Sequence, residues 1–369
     1  MRIVSIDIFE VPVTGHGGGQ VLSGGRVFKD FLSYLVRVTL EGGAVGWGET
    51  MPYNSVYLPA SAGAARAGLI EVAPVLIGQD VRQIGVLNAA MDAVMRGQPF
   101  VKSALEMAAW DAVGQVTGWP LWMHFGGMFT PRPQVTANIG AFAHGAERIE
   151  AKIAEYRGKG VAQFSCKAAG DVVEDLDFVR FLAERLRRHE SVKMDANGGW
   201  RVDEAIRVFR AGEGHGFWFE QPCPSYEECR DVRRAVAVPM VLDECLTDLA
   251  SVARAHGDGV LDAVSLKPAR SNGVRHCLAI RDFVVAVGRA MHVQDACGTD
   301  VVSAMIAHFA HAVPAQNLLY VWNAHDLIET VTATGAPDGS DGCLVAGPGP
   351  GLGVTPVAAV LGAPRASFG

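Results

Sequence analysis

The sequence predicts an α/β protein: a closed (β/α)8 barrel that follows a smaller region of strands and then helices. Three observations carry this. From about residue 135 onward, eight short apolar runs alternate with helical segments. The run ends at Lys167, Asp195, Glu220, Asp243, Lys267 and Asp295 lie 28, 25, 23, 24 and 28 residues apart, the repeat of a βα unit. The length of 369 residues, at roughly 150 per domain, leaves room for one large barrel and a smaller partner. A doubly wound open sheet is the competing topology.

Residues 1–128 form the first predicted unit. Met1–Val13 alternates like a strand, Phe31–Val38 is β-rich, Glu41-Gly-Gly43 reads as a turn, and Val45–Glu49 resumes the extended pattern. Helical spacing then runs from about Ala60 to Gly118 through Ala104, Met107, Ala108 and Ala112. Gly126-Gly127 and Thr130-Pro-Arg-Pro133 mark a boundary. The second unit, 129–334, has predicted strands at 135–139, 162–167, 192–195, 217–220, 240–243, 263–267, 292–295 and 317–321. Helices are predicted between them at 146–157, 172–187, 202–211, 225–236, 247–255, 272–286 and 299–312. Residues 335–369, centred on Gly347-Pro-Gly-Pro-Gly-Leu-Gly353, read as a segment that returns to the first unit.

Composition narrows the function classes. Apolar residues make up 49% of the chain and charged ones 19%, which excludes disorder. A net charge of −7 argues against a nucleic-acid or anionic-membrane binder, while small anionic substrates stay open. The seven cysteines include no CxxC pair, so neither a zinc ribbon nor a disulfide framework is expected, and a reducing cytoplasm fits. The uncharged stretches 112–131 and 301–325 are broken by Gly, Pro, His, Asn or Gln. Neither reads as a membrane span. The start lacks the pattern of a signal peptide.

The ionisable residues stand at strand ends. In a parallel barrel those ends converge on one mouth. A lone acid there is often a helix cap. Asp195, Glu220 and Asp243 on successive strands, bracketed by Lys167 and Lys267, would repel at high cost if buried without a cation. Three carboxylates suit a hard divalent ion with positions left for water and a substrate oxygen, hence Mg²⁺. Calcium lacks a compact Asp-x-Asp-x-Asp loop, and zinc lacks a histidine. The two lysines would flank a carboxylate held by that ion. One, neutral, removes the α-proton, and the other delivers a proton to the same carbon or to a leaving hydroxyl. The alternative for each lysine is an ion pair with a ligand carboxylate.

These residues carry a resemblance. Lys167, Asp195-Ala-Asn197, Glu220-Gln-Pro222, Asp243-Glu244 and Leu266-Lys267 resemble the enolase superfamily, in its mandelate racemase/muconate-lactonizing branch. Gly46-Trp-Gly-Glu49, Lys102–Asp111, Pro120-Leu-Trp122 with Gly126-Gly127, and Pro348–Val354 extend the likeness over nearly the whole chain. The resemblance implies a modified TIM-type barrel with an α+β capping domain made from the N-terminal part and the tail. It also implies Mg²⁺ on Asp195, Glu220 and Asp243, and acid/base roles for Lys167 and Lys267. Asp195–Ala205, Glu220–Cys229 and Leu242–Cys245 are most similar to the cis-3-hydroxy-L-proline dehydratases, a group related to the hydroxyproline-betaine 2-epimerases. Two departures stand out. Ser165 occupies a position where many relatives carry lysine. Gln294-Asp-Ala-Cys-Gly-Thr-Asp300 stands where the proline-type group is expected to have an acidic residue, Trp and Gly-Gly.

The expected activity is dehydration of cis-3-hydroxy-L-proline to pyrroline-2-carboxylate. The alternatives are a 2-epimerase of proline, its betaine or another amino-acid derivative, a dipeptide epimerase, or a scaffold that binds metal without turnover. Sugar-acid dehydration is disfavoured because the relatives that perform it usually need a catalytic histidine on the seventh strand, and Gln294-Asp295 offers none. Tyr53 and Tyr57 are candidates for a lid over the mouth, Gly17-Gly-Gly19 with His16 for a second capping loop, and Asn197, Asp295, Cys297 and Thr299 for the substrate surroundings. Asp295 either orients Lys267 or lines the mouth. Cys166 is assigned to packing, and His308 and His311 to the barrel exterior. The partner is a small proline-like carboxylate, and a homo-oligomer is expected.

Overall fold

The structure is a computed structural model that describes all residues except 17–19, 24, 25, 29, 54 and 56. The expected Gly17-Gly-Gly19 loop lies outside the described residues. Strands β1 (Ile3–Thr14), β2 (Gln20–Leu22), β3 (Arg26–Phe28), β4 (Asp30–Leu40) and β5 (Val45–Thr50) open the chain. The antiparallel register of β1 with β4 runs from Ile3–Leu40 to Thr14–Asp30, and β5 adds to the far edge of β4. The helical stretch is not continuous. It divides into α1 (Ala62–Val72), α2 (Ile84–Val94), α3 (Pro99–Thr117) and α4 (Leu121–His124). A 3-10 turn at Ala73–Leu76 with Pro74 in its first turn, and left-handed Gly78 and Gly97, supply the breaks.

Helix α3 packs so closely on β5 that the glycines of Gly46-Trp-Gly48 are required. A Cβ on Gly46 would strike Ala108 O, and one on Gly48 would strike Ala104 O. The small residues Ala104, Ala108 and Ala112 form the facing stripe, all buried.

The barrel follows as β6 (Ala137–Ala141), α5 (Ala146–Gly158), β7 (Gln163–Lys167), α6 (Val172–Ala183), β8 (Ser191–Asp195), α7 (Val202–Ala211), β9 (Phe217–Glu220), α8 (Tyr226–Ala235), β10 (Met240–Leu242), α9 (Leu249–Gly257), β11 (Ala263–Leu266), α10 (Val274–Ala286), β12 (Ala290–Val293), α11 (Asp300–His311) and β13 (Leu318–Val321). The eight strands pair in parallel in chain order. A parallel bridge from Val135 to Val321, with Thr136 N–H donating to Val321 O at 2.8 Å, joins first to last and closes the barrel. Short polar side chains start several helices. Asp171 accepts from Val173 and Glu174 amides, and Ser225 and Glu228 form a reciprocal cap on α8.

Two strands differ from the sequence reading by two residues, and several others by one. The first strand lies two residues later than 135–139, because Val135 is drawn into the closing bridge. The seventh ends at Val293 rather than Asp295, because Asp295 turns its carboxylate back onto the amides of Ala269 and Ala296. The tail forms β14 (Ala333–Thr334), β15 (Thr355–Pro356), α12 (Ala358–Leu361) and β16 (Ala366–Phe368), and β16 pairs antiparallel with β1. His308 and His311 are outside the barrel but fully buried beneath other chain segments. His308 Nε2 bonds Leu352 O at 3.1 Å, while His311 Nδ1 bonds Thr130 O at 2.7 Å and its Nε2 faces the Ala346 amide at 3.0 Å. Among the described residues, no helix is long and apolar enough to cross a membrane.

Candidate active site

The strand register gathers the predicted residues at one end of the barrel. Lys167 pairs with Asp195, and Asp195 with Glu220, at the last positions of β7, β8 and β9. Asp243 and Lys267 directly follow β10 and β11. Asp195, Glu220, Asp243 and Lys267 are buried, and Lys167 is half-buried.

Each carboxylate of the trio meets basic side chains. Lys167 Nζ donates to Asp195 Oδ2 at 2.5 Å and to Asn197 Oδ1 at 3.0 Å. Lys267 Nζ donates to Asp243 Oδ2 at 2.7 Å and to Tyr57 Oη at 2.8 Å. Arg270 donates to Asp243 Oδ1, and Lys193 donates to Glu220 Oε2. Glu220 also accepts from Ser265 Oγ and, at 3.2 Å, from Gln294 Nε2. Asp195, Glu220 and Asp243 are therefore each paired with a base, from the set Lys167, Lys193, Lys267 and Arg270.

Burial works against every charge here, and the pairing decides the outcome. Burial opposes ionisation of Glu220, yet Lys193 and His292 hold its carboxyl well below the usual range. Asp243 is likewise lowered against burial by Arg270 and Lys267. Burial wins at Asp195, which is raised despite Lys167. Glu244 is pushed up to about 8 by burial and by Asp243 and Asp195. Burial, reinforced by Lys193, lowers the His292 imidazole to about 4.

Strain collects at the same place. Asn197 and Gln221 both have positive φ, 45° and 37°. These conformations aim their amides: Asn197 Nδ2 donates to Glu244 Oε1 at 2.9 Å, and Gln221 Oε1 accepts from the Asp243 amide at 3.0 Å. Ser23 Oγ donates to Asp195 O at 2.5 Å. A cavity of about 520 Å³ opens beside Asn197, lined also by Ser23, Ala169, Gly170 and Asp171.

The other predicted residues divide. Tyr57 reaches the centre, donating to Asp243 Oδ2 at 3.3 Å. Tyr53 packs edge-on against Tyr57 with ring centroids 5.8 Å apart. Asp295 does not hydrogen-bond Lys267 among the described residues; it accepts from backbone amides, and burial pushes it up to about 7. Cys297 is buried in the core. The Thr299 hydroxyl is engaged by Glu49 at 2.8 Å and Thr332 at 2.5 Å.

Sequence reasoning missed Lys193, Ser265, Arg270 and His292. The strand period of two carried a signal for two of them: Lys193 and Ser265 precede Asp195 and Lys267 by two residues and share their face. Among the described residues, no three His, Cys, Asp or Glu side chains gather as a ready metal site, because the trio is drawn onto its basic neighbours. The donors themselves are hard carboxylate oxygens on three adjacent strands, a set that fits a divalent ion such as Mg²⁺.

A capped (β/α)8 barrel with ionisable side chains gathered at its strand ends is the architecture of an enzyme. The chain belongs to the mandelate racemase/muconate lactonizing enzyme family of the enolase superfamily. Residues 5–126 match the family's N-terminal domain, and residues 148–360 match the domain described as enolase C-terminal domain-like. It is 34% identical to cis-3-hydroxy-L-proline dehydratase of Roseibium aggregatum, over 100% of both chains. Similarity to L-Ala-D/L-Glu epimerase of Bacillus subtilis is 25% identity over 89% of this chain and 91% of that one. A solved enolase-superfamily structure from Roseovarius nubinhibens, complexed with magnesium, superposes with a TM-score of 0.91 at 33% identity, covering 100% of this chain and 99% of that one.

Proposed function

We propose that this protein is a Mg²⁺-dependent hydro-lyase that converts cis-3-hydroxy-L-proline to pyrroline-2-carboxylate. The observation that carries the reading is the pair Lys167 and Lys267 on strands to either side of Asp195, Glu220 and Asp243, in a chain that aligns end to end with a dehydratase of that substrate. Asp195, Glu220 and Asp243 would hold the ion, which supplies positive charge to offset the second negative charge that builds on the substrate carboxylate as the α-proton leaves.

The chain's own residues do the proton work. Each lysine has a second polar partner, Asn197 Oδ1 for Lys167 and Tyr57 Oη for Lys267, that keeps the amine in place when it parts from its carboxylate. One amine, neutral, takes the proton from Cα. The opposite ammonium gives a proton to the 3-hydroxyl, which leaves as water, and the enamine tautomerises. The apolar rings of Tyr53 and Tyr57 cover that side of the mouth and limit the water that reaches the amines.

The test is proton NMR of cis-3-hydroxy-L-proline incubated with the protein and Mg²⁺ in D₂O. Loss of the C3 hydroxymethine signal is expected; an unchanged spectrum at high enzyme refutes the reading. Lys167→Ala and Lys267→Ala should each slow the reaction by about 10²–10⁴-fold, the worth of a positioned acid or base. The same lysine pair, and the likeness to an epimerase, support a second reading as a 2-epimerase of a proline derivative. Its signature is deuterium uptake at Cα with inversion and no loss of water.

A further inference from the structure

Glu49 is the next-to-last residue of β5 and stands just ahead of the segment carrying Tyr53 and Tyr57. Its side chain is fully buried, and its contacts lie mostly in the barrel. Oε1 accepts from the Thr299 N–H and from the Thr299 hydroxyl, each at 2.8 Å, and from Ser33 Oγ at 2.6 Å. Oε2 accepts from the Val302 N–H at 3.0 Å. Thr299 is the N-cap of α11 and makes no side-chain cap bond within that helix. A carboxylate from the capping sheet performs that task instead, at the positive end of a buried helix. Burial pushes the Glu49 carboxyl up, and the donors around it act against that.

The chain just before this helix touches the reacting centre. Gln294 donates to Glu220, and Asp295 accepts from the amide of Ala269, two residues after Lys267. The chain just after Glu49 does the same from the other side, through Tyr57 and Lys267. One buried carboxylate thus anchors both flanks of the mouth.

We propose that Glu49 is a positioning residue that fixes the 294–299 loop of the barrel to the end of β5, setting Gln294 and Tyr57 in register around the site. All its described partners donate, so the position demands an acceptor. In Glu49→Gln, whichever way the amide turns, its N–H₂ meets a backbone N–H that cannot rotate away, that of Thr299 or that of Val302.

The consequence for turnover rests on the proposed lyase reading; the anchoring does not. Hydrogen–deuterium exchange of Glu49→Gln should be at least about tenfold faster at Thr299 and Val302, with β7, β8 and β9 unchanged. The KM for cis-3-hydroxy-L-proline should rise about tenfold and kcat change by less than about threefold, because the lysines and carboxylates ride on strands that Glu49 does not touch. Thr299→Val keeps the backbone donors and should shift both readouts the same way by less; it carries the test if Glu49→Gln does not fold. Unchanged exchange at 299–302 overturns the proposal, as does acceleration spread through β7–β9 or a fall in kcat at constant KM. If the native protein turns over no proline derivative, the lyase reading fails, and the exchange comparison still decides whether Glu49 is the anchor.

Discussion

Arg270→Met tests whether the acid–base balance at the mouth holds the site together. Arg270 is almost fully buried, donates to Asp243 Oδ1, and reaches Ser265 O at 2.7 Å. Methionine keeps much of the stem's apolar packing but leaves Asp243 Oδ1 without its cation. Removing one partner of a buried ion pair costs about 3–5 kcal/mol. Lys267 still holds Oδ2, which places the loss near the lower bound, about 3 kcal/mol. At roughly 2.1 cal/mol/K of unfolding entropy per residue, about 0.8 kcal/mol/K for 369 residues, the melting temperature in EDTA should fall by about 4 °C.

A divalent ion on the same carboxylate replaces the missing charge. A ligand at a hundred times its Kd adds about 2.7 kcal/mol, so saturating Mg²⁺ should return most of the loss. With one like charge removed, the variant should also bind Mg²⁺ more tightly than the native protein. Thermal melts across a Mg²⁺ titration, with calorimetry for the affinity, measure both effects. An EDTA melting temperature equal to that of the native protein refutes the stabilising role of the pair. Absence of any Mg²⁺ shift in either protein refutes the placement of the ion on Asp243.

Tyr57→Phe removes the hydroxyl between Lys267 and Asp243; kcat/KM should fall about 10- to 100-fold, the worth of a hydrogen bond to a charged group, with the fold intact by circular dichroism. Asp295, raised to about 7, keeps a proton in the folded protein that the unfolded chain releases near its ordinary value. Its contribution to stability is therefore full below that ordinary value and declines as pH rises toward 7, and Asp295→Asn should flatten the slope of melting temperature against pH in that window. Gly273 has φ +107° and its missing Cβ would strike Glu106 Oε2. Gly273→Ala should lower stability by about 2 kcal/mol or more in urea denaturation.

The barrel and its strand-end residues were legible because a βα repeat leaves a chain-length period that spacing alone reveals. What stayed hidden has physical reasons that differ by residue. Lys193 lies within an apolar run and reads locally as a strand interruption; only the step of two that puts it under Asp195 tells its purpose. Arg270 follows Lys267 in a helical turn, its amide donating to Lys267 O at 3.1 Å, and that turn carries the guanidinium back over the mouth. No strand pattern extends into such a loop. Glu49 finds its partners across a sequence separation of 250, and the Gly-Trp-Gly-Glu motif shows only why β5 can approach α3.

The hidden residues change the meaning of the visible ones. Three strand-end acids looked prohibitive without a cation, and that was the strongest argument for a metal. The structure answers the cost differently, since Lys193 and Arg270 join the two lysines so that four bases pair with Asp195, Glu220 and Asp243. The case for Mg²⁺ therefore moves from electrostatic necessity to function. Lys167 and Lys267 cannot serve as acid and base while locked to Asp195 and Asp243, and Asn197 and Tyr57 stand ready as their second partners. Release of those amines, rather than relief of repulsion, is then what a bound cation would accomplish.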